Sequence, residues 1–150
     1  MYQRMLVPVD GSETARRGLD EAIKLSKALG ASVRLVHIVD ETPLAMNPET
    51  GIAAAPLVAD FVEAGKQIIE EARAFAMAQG VEVATALHEN FTGRVADRIL
   101  EEARKSGAEL IVMGTHGRRG IRHVVLGSDA EAVVRGATVP VLLVRAPGRK

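Results

Sequence analysis

Apolar and polar positions follow two different periods along this chain. Short apolar runs of strand length, Arg4–Val9, Ser32–Val39, Val81–Leu87, Glu109–Met113 and Val139–Val144, alternate with longer stretches whose apolar residues recur at helical spacing. In Glu13–Leu29 those residues are Ala15, Leu19, Ala22, Ile23 and Leu29, which predicts a helix capped by Ser12 and stopped at Gly30. Leu57–Gln79 carries Val58, Phe61, Val62, Ile69, Ala72, Phe75 and Ala76 on one face and predicts a long helix closed by Gly80. A third helix, capped by Thr92, runs through Lys105 with Val95, Ala96, Ile99, Leu100 and Ala103 inward, and Gly107 ends it. The fourth covers Asp129–Arg135, with Ser128 at the cap position and Glu131 three residues on, as in a capping box. Asp40–Pro56 is polar and proline-containing and predicts a long mobile loop. The tail, Arg145–Lys150, is expected to fray.

Strands alternating with helices imply α/β architecture: a doubly wound parallel sheet with right-handed crossovers and helices on both faces. For five strands the expected order is 3-2-1-4-5, over one domain spanning residues 1–150. Strands one and four are then neighbours, and the winding reverses between them. Ligands of such sheets bind at that reversal, beyond the carboxyl ends of the strands. Asp10 ends strand one and Gly114 ends strand four, so both fall at the same crevice.

Composition narrows the functional classes. Lys and Arg number 19 and Asp and Glu number 19, so no net charge draws the chain to nucleic acid or an acidic membrane. Aromatics are 3%, which weakens base stacking as a binding mode and leaves the core to Val, Ile, Leu and Ala. There is no cysteine, which excludes disulfides and thiolate chemistry. The start shows no signal-peptide pattern and no apolar run has membrane-spanning length, so the cytoplasm is the expected compartment.

The chemistry concentrates in Gly114–Ser128, between the fourth strand and the fourth helix. Glycines at 114, 117, 120 and 127 let backbone amides approach an anion, and Arg118, Arg119 and Arg122 carry positive charge. His116 and His123 lie in the same loop within reach of a phosphate, and with His88 they form no metal-ligand spacing. The loop lacks the lysine of a Walker A sequence, and the first strand is followed by Gly11 alone rather than a dinucleotide fingerprint. The plain alternatives are turn glycines, an Asp10 that only shapes a turn, and a Ser128 that only caps a helix. His37 reads as a packed structural histidine, and Glu70, Glu71, Glu101 and Glu102 as solvated helix faces. No nucleophile–base pair is evident.

The run from Leu6 to Ser12, the strand end Val36–Ile38, the stretch Leu110–Gly117, the pair Gly127–Ser128 and the close Val139–Val144 together resemble the universal stress protein family. The spacing Gly114, two residues, Gly117, nine residues, Gly127-Ser128 is similar to that family's ATP-binding branch. The resemblance covers essentially the whole chain. It implies that Asp10 meets the ribose or the phosphates, that Pro8 and Val9 line the base pocket and that Ile38 offers backbone groups to adenine. It further implies that Met113, Gly114, Gly117, Gly127, Ser128 and Asp129 surround ribose and phosphates. The nine-residue insert varies in the family, which loosens any role for Arg118. The family is usually dimeric through its last strand. An apolar run at a sheet edge independently favours pairing Val139–Val144 with a second copy.

The resulting expectation is an ATP-binding regulatory module of stress response, with Mg²⁺ or Mn²⁺ on the phosphates, Asp10 near that cation, and an unidentified protein partner. The alternatives are a slow ATP hydrolase or phosphotransferase, and a scaffold that binds no nucleotide. A valine at Gly114 is expected to abolish binding and leave a folded dimer.

Overall fold

The computed structural model describes residues 1–45, 54–116 and 126–146. In chain order the elements are β1 (Arg4–Pro8), α1 (Glu13–Leu29), β2 (Ser32–Asp40), α2 (Thr42–Ala45), α3 (Ala54–Ala78), β3 (Val83–Asn90), α4 (Val95–Ser106), β4 (Leu110–Gly114), α5 (Ser128–Gly136) and β5 (Val141–Val144). The sheet is parallel with the expected order, β3-β2-β1-β4-β5.

Side chains alternate across a strand, and the two faces bury separate apolar layers. Met5, Val7 and Val9 of the first strand segment pack with Leu19, Ile23, Val33, Leu35, Ile69, Ala76 and Val112, under α1 and α3. Leu6 packs with Val36, Ile38, Ile99, Ala103, Ile111, Met113, Ala130 and Val133, under α4 and α5. Aliphatic residues fill both layers, as the scarcity of aromatics requires.

Several boundaries differ from the expected ones for local reasons. β3 runs to Asn90 because β2 offers it a partner at every step from Val33–Val83 to Asp40–Asn90. α4 begins at Val95 rather than after a Thr92 cap: Gly93 turns the chain at φ 83°, and Arg94 takes the cap position without a side-chain bond. β5 begins at Val141, after Pro140, whose carbonyl accepts the Ile111 amide. Part of the expected loop is helical, at Thr42–Ala45 and from Ala54, and residues 46–53 lie outside the described residues. Leu29 and Phe61, both expected inward, are exposed, Leu29 in the last turn of α1 and Phe61 in the first turns of α3. The stops at Gly30 and Gly107 are as expected, at φ 68° and 64°.

Candidate functional site

The chain leaves β1 at Pro8 and turns sharply into α1. Asp10 Oδ1 accepts the Ser12 amide at 2.8 Å, Gly11 takes φ 80°, and Ser12 Oγ accepts the Ala15 amide at 3.2 Å. This is the expected N-cap, and it shows that Asp10 does shape the turn. The carboxylate has a second oxygen and remains half-buried at the carboxyl end of the sheet.

β4 reaches the same place beside β1. Its last residue, Gly114, lies directly against the first turn of α1: a β-carbon there would stand 2.6 Å from the Thr14 carbonyl carbon and oxygen. The next residues are held from three sides. The Thr115 amide donates to the Val144 carbonyl at 3.1 Å, the Gly127 amide donates to the Thr115 carbonyl at 2.8 Å, and Thr14 Oγ1 donates to the His116 carbonyl. The glycine-rich stretch is thus pinched at its neck, Thr115 to Gly127, and the neck is docked on α1. Gly117 and Arg118, with Arg119, Gly120, Arg122 and His123, lie outside the described residues.

The capping expectation for Ser128 is corrected. Gly127 is the cap of α5, at φ −60° and ψ 152°, and Ser128 is already helical. Gly127 carries out two backbone duties at once, giving its amide to Thr115 and its carbonyl to the Glu131 amide. Glu131 does not reach back as a capping box requires; its side chain pairs with Arg135 at 2.8 Å. The amides left for an anion are therefore those of the first turn, Ser128 and Ala130 among them, which have no acceptor within the helix.

The other expected contacts are placed as follows. Ile38 and Met113 are buried in one apolar layer on the α4–α5 side, at the ends of β2 and β4. Val9 is buried in the opposite layer, so its side chain belongs to the core, while its amide pairs with the Val36 carbonyl at 2.9 Å. Pro8 is half-buried beside Val36. Ser128 and Asp129 are exposed at the start of α5. His116 Nδ1 lies 2.9 Å from Thr115 Oγ1, and its Nε2 is buried with no hydrogen-bond partner among the described residues. A buried ring nitrogen of this kind calls for a polar partner.

Two neck residues, Thr14 and Thr115, were not evident in the sequence. Thr14 meets His116 across 102 positions of chain, and nothing local announces such a contact. The expected structural histidine is found at His37, whose Nδ1–H donates to the Val9 carbonyl at 2.7 Å. Glu102 is corrected: it is buried, not solvated, and holds Arg34 and His88 at 2.6 Å each. Among the described residues no group of three or more His, Asp or Glu side chains is arranged to hold a metal ion. The Gly114→Val expectation is also corrected, because a side chain at 114 collides with α1 before any ligand is involved. A separate hollow of about 420 Å³ opens between α4 and α5 at the other end of β4, lined by Leu100, Arg104, Ala108, Gly136 and Val139, away from all these groups.

Comparison with known proteins gives one answer. The sequence model of the Universal stress protein family matches residues 1–145. Universal stress protein MJ0531 of Methanocaldococcus jannaschii is 33% identical, over 100% of this chain and 86% of its own. Universal stress protein YxiE of Bacillus subtilis is 33% identical, over 97% of this chain and 100% of its own. Among solved structures, MJ0577 of Methanocaldococcus jannaschii superposes with a TM-score of 0.86 at 26% identity, covering 99% of both chains. A universal stress protein of Archaeoglobus fulgidus, solved in complex with dAMP, superposes with a TM-score of 0.67 at 26% identity, covering 95% of this chain and 98% of its own.

Proposed function

The chain belongs to the universal stress protein family, and we propose that it binds ATP at the carboxyl ends of β1 and β4 and acts as a nucleotide-dependent regulatory module. The observation that carries this reading is the pinched neck: Thr115 bonds Gly127, and Thr14, on the helix that follows the Asp10 turn, bonds the His116 carbonyl. The adenine nucleotide in the structure of the Archaeoglobus relative supports the ligand class. In this reading Ile38 presents backbone to the base, Asp10 meets ribose hydroxyls or a phosphate-borne Mg²⁺ or Mn²⁺, and the first-turn amides of α5 take a phosphate. Met113, Gly114, Gly117 and Gly127 bound the ribose and phosphate side, and Arg118 and His116 add donors. When bound, the cation would neutralise phosphate charge.

ATP biases a two-state element only by its unequal affinity for the states. The readout proposed is a partner protein or a dimer formed through β5, in the cytoplasm. β5 is an edge strand, and its Leu142 is 37% exposed. Isothermal titration of the purified protein with ATP and with dAMP tests the reading. Saturable binding of ATP with a rise in melting temperature supports it; no heat and no shift with either nucleotide at millimolar concentration overturns it.

A further inference from the structure

The β2–β3 end of the sheet holds a second group of polar residues that nucleotide binding leaves unused. The two strands pair through Val39 with Glu89 and Asp40 with Asn90, and the Glu41 amide extends the pairing by donating to the Asn90 carbonyl at 2.9 Å. The Glu41 carbonyl accepts the amides of Leu44 and Ala45, so Glu41 is the root of α2. Residues two apart on a strand share a face, which puts Glu41 and Glu89 with Val39 on the α3 side of the sheet. Gly65 of α3 lies against Val39 and His37 on that side.

The Glu41 side chain is 0% exposed, and no donor among the described residues reaches either of its oxygens. Glu89 pairs with Val39, two residues before Glu41, and its carboxyl acts on that of Glu41. Two carboxylates repel; two carboxyl groups bond only when one of them carries a proton. Glu89 is exposed, whereas Glu41 is buried, and burial disfavours the charged form of Glu41. We propose that Glu41 is held as the protonated acid and donates to the Glu89 carboxylate, so that a single proton latches the root of α2 to the end of β3 and its loss releases the latch.

The surrounding charges favour retention of the proton. Burial, then the neighbouring Glu89, then Asp40, all push the Glu41 carboxyl above the ordinary glutamate range. Asp40 is occupied by Thr42, whose hydroxyl donates to it at 2.6 Å. On α3, Asp60 and Glu63 are exposed and Lys66 is turned to Glu63 at 3.9 Å. On the opposite face Arg98 is engaged by Asn90 and Glu101, and Arg94 by Asp97. His37, on the same face as Glu41, gives its Nδ1–H to Val9. None of these cations is paired with Glu41. A carboxyl raised in the folded state stabilises it fully below the unfolded value, and that contribution disappears as pH rises through the folded value. The latch therefore opens on the alkaline side, three residues beyond Ile38 and at the end of the sheet that carries the nucleotide crevice.

The test is a pH titration of the glutamate carboxyl ¹³C resonances, with amide exchange of Leu44 and Ala45 in the same samples. Glu41 is expected to titrate above every exposed glutamate. Protection of the two amides should fall by up to about tenfold per unit of pH between the ordinary glutamate range and the Glu41 titration, and level off above it, as linkage to one proton requires. Glu41→Gln, which donates to Glu89 without a proton to lose, should abolish the pH dependence of protection. Should that variant not fold, Glu89→Gln serves: the Glu41 titration should move toward the ordinary range. Titration of Glu41 together with the exposed glutamates overturns the proposal. So does a Glu41 resonance that responds to millimolar Mg²⁺ at constant pH, which would make the shared ligand a cation.

Discussion

Gly114 and Thr14 are in backbone contact: a β-carbon on Gly114 would stand 2.6 Å from the Thr14 carbonyl. The contact is mutual, since a β-carbon on Gly18 would stand 3.1 Å from the Gly114 amide nitrogen. Helix α1 therefore rests on β4 backbone to backbone. Gly114 is needed by the packing whether or not a phosphate is bound. Gly114→Ala should cost about 1–3 kcal/mol in urea denaturation, with Gly114→Val costing more, because neither α1 nor β4 can retreat without disturbing its layer. Wild-type stability in Gly114→Ala would remove this account. A loss of nucleotide affinity in either variant says nothing by itself about phosphate contacts.

Asp10 provides the cleaner probe, because its two duties separate. Asn at this position keeps an oxygen for the Ser12 amide, now at 2.8 Å, and removes the charge. Asp10→Asn should hold stability to within about 0.5 kcal/mol and weaken ATP binding, most clearly with Mg²⁺ present. Asp10→Ala should lose the turn bond as well, at about 1 kcal/mol. Calorimetric titration and thermal melts on the two variants check this. Equal ATP affinity in Asp10→Asn and wild type would leave Asp10 with the turn alone.

His116 Nε2 is buried without a partner among the described residues, while Nδ1 faces Thr115 Oγ1. A bound polyphosphate should give it one. The ¹⁵N resonance of His116 Nε2 should move on ATP addition, and His116→Ala should weaken binding by about tenfold, the worth of one hydrogen bond to a charged group. An unmoved resonance at saturating ATP would take His116 out of the site.

Much of this was legible in the chain because it is local or periodic. The strand order follows from alternating elements, and the helix stops at Gly30 and Gly107 follow from residues that accept positive φ. The misread features are those settled by contacts between distant segments. Ser128 looked like a cap, yet Gly127 takes the role because its amide is already committed to Thr115. The backbone contact of Gly114 with Thr14 was likewise out of sight in the chain. Glu102 looked solvated on a helix face, yet Arg34 and His88 come to it from two strands. Periodicity places a residue on a face; it does not say what approaches that face.

The edge of the sheet gives an assembly prediction. β5 pairs with β4 on one side, and Leu142 is 37% exposed. If a second copy covers the open side, Leu142→Lys puts two charges into the pairing and should yield monomers by sedimentation, with ATP affinity little changed. A wild-type protein that is already monomeric at working concentration would end the β5 dimer.

The acid limb of stability should belong to Glu102. Burial works to raise its carboxyl, but the hydrogen bonds from His88 and Arg34 outweigh burial and hold it below the ordinary glutamate value of 4.5. A depressed carboxyl contributes stability above the unfolded value and loses it as pH falls through the folded one. Glu102→Gln should therefore be destabilised at neutral pH, and the gap to wild type should close in acid, starting near pH 4.5. Breaking a buried ion pair costs about 3–5 kcal/mol, but Arg34 and His88 keep 40% and 36% of their side chains in water, which brings the expected loss to about 2 kcal/mol. Urea denaturation of both proteins from pH 3 to 8 measures it. The direction is opposite to that of Glu41, whose contribution fades as pH rises, so the two glutamates are separable in a single titration. A gap that stays constant through the acid range would mean that Glu102 acts by shape and not by charge.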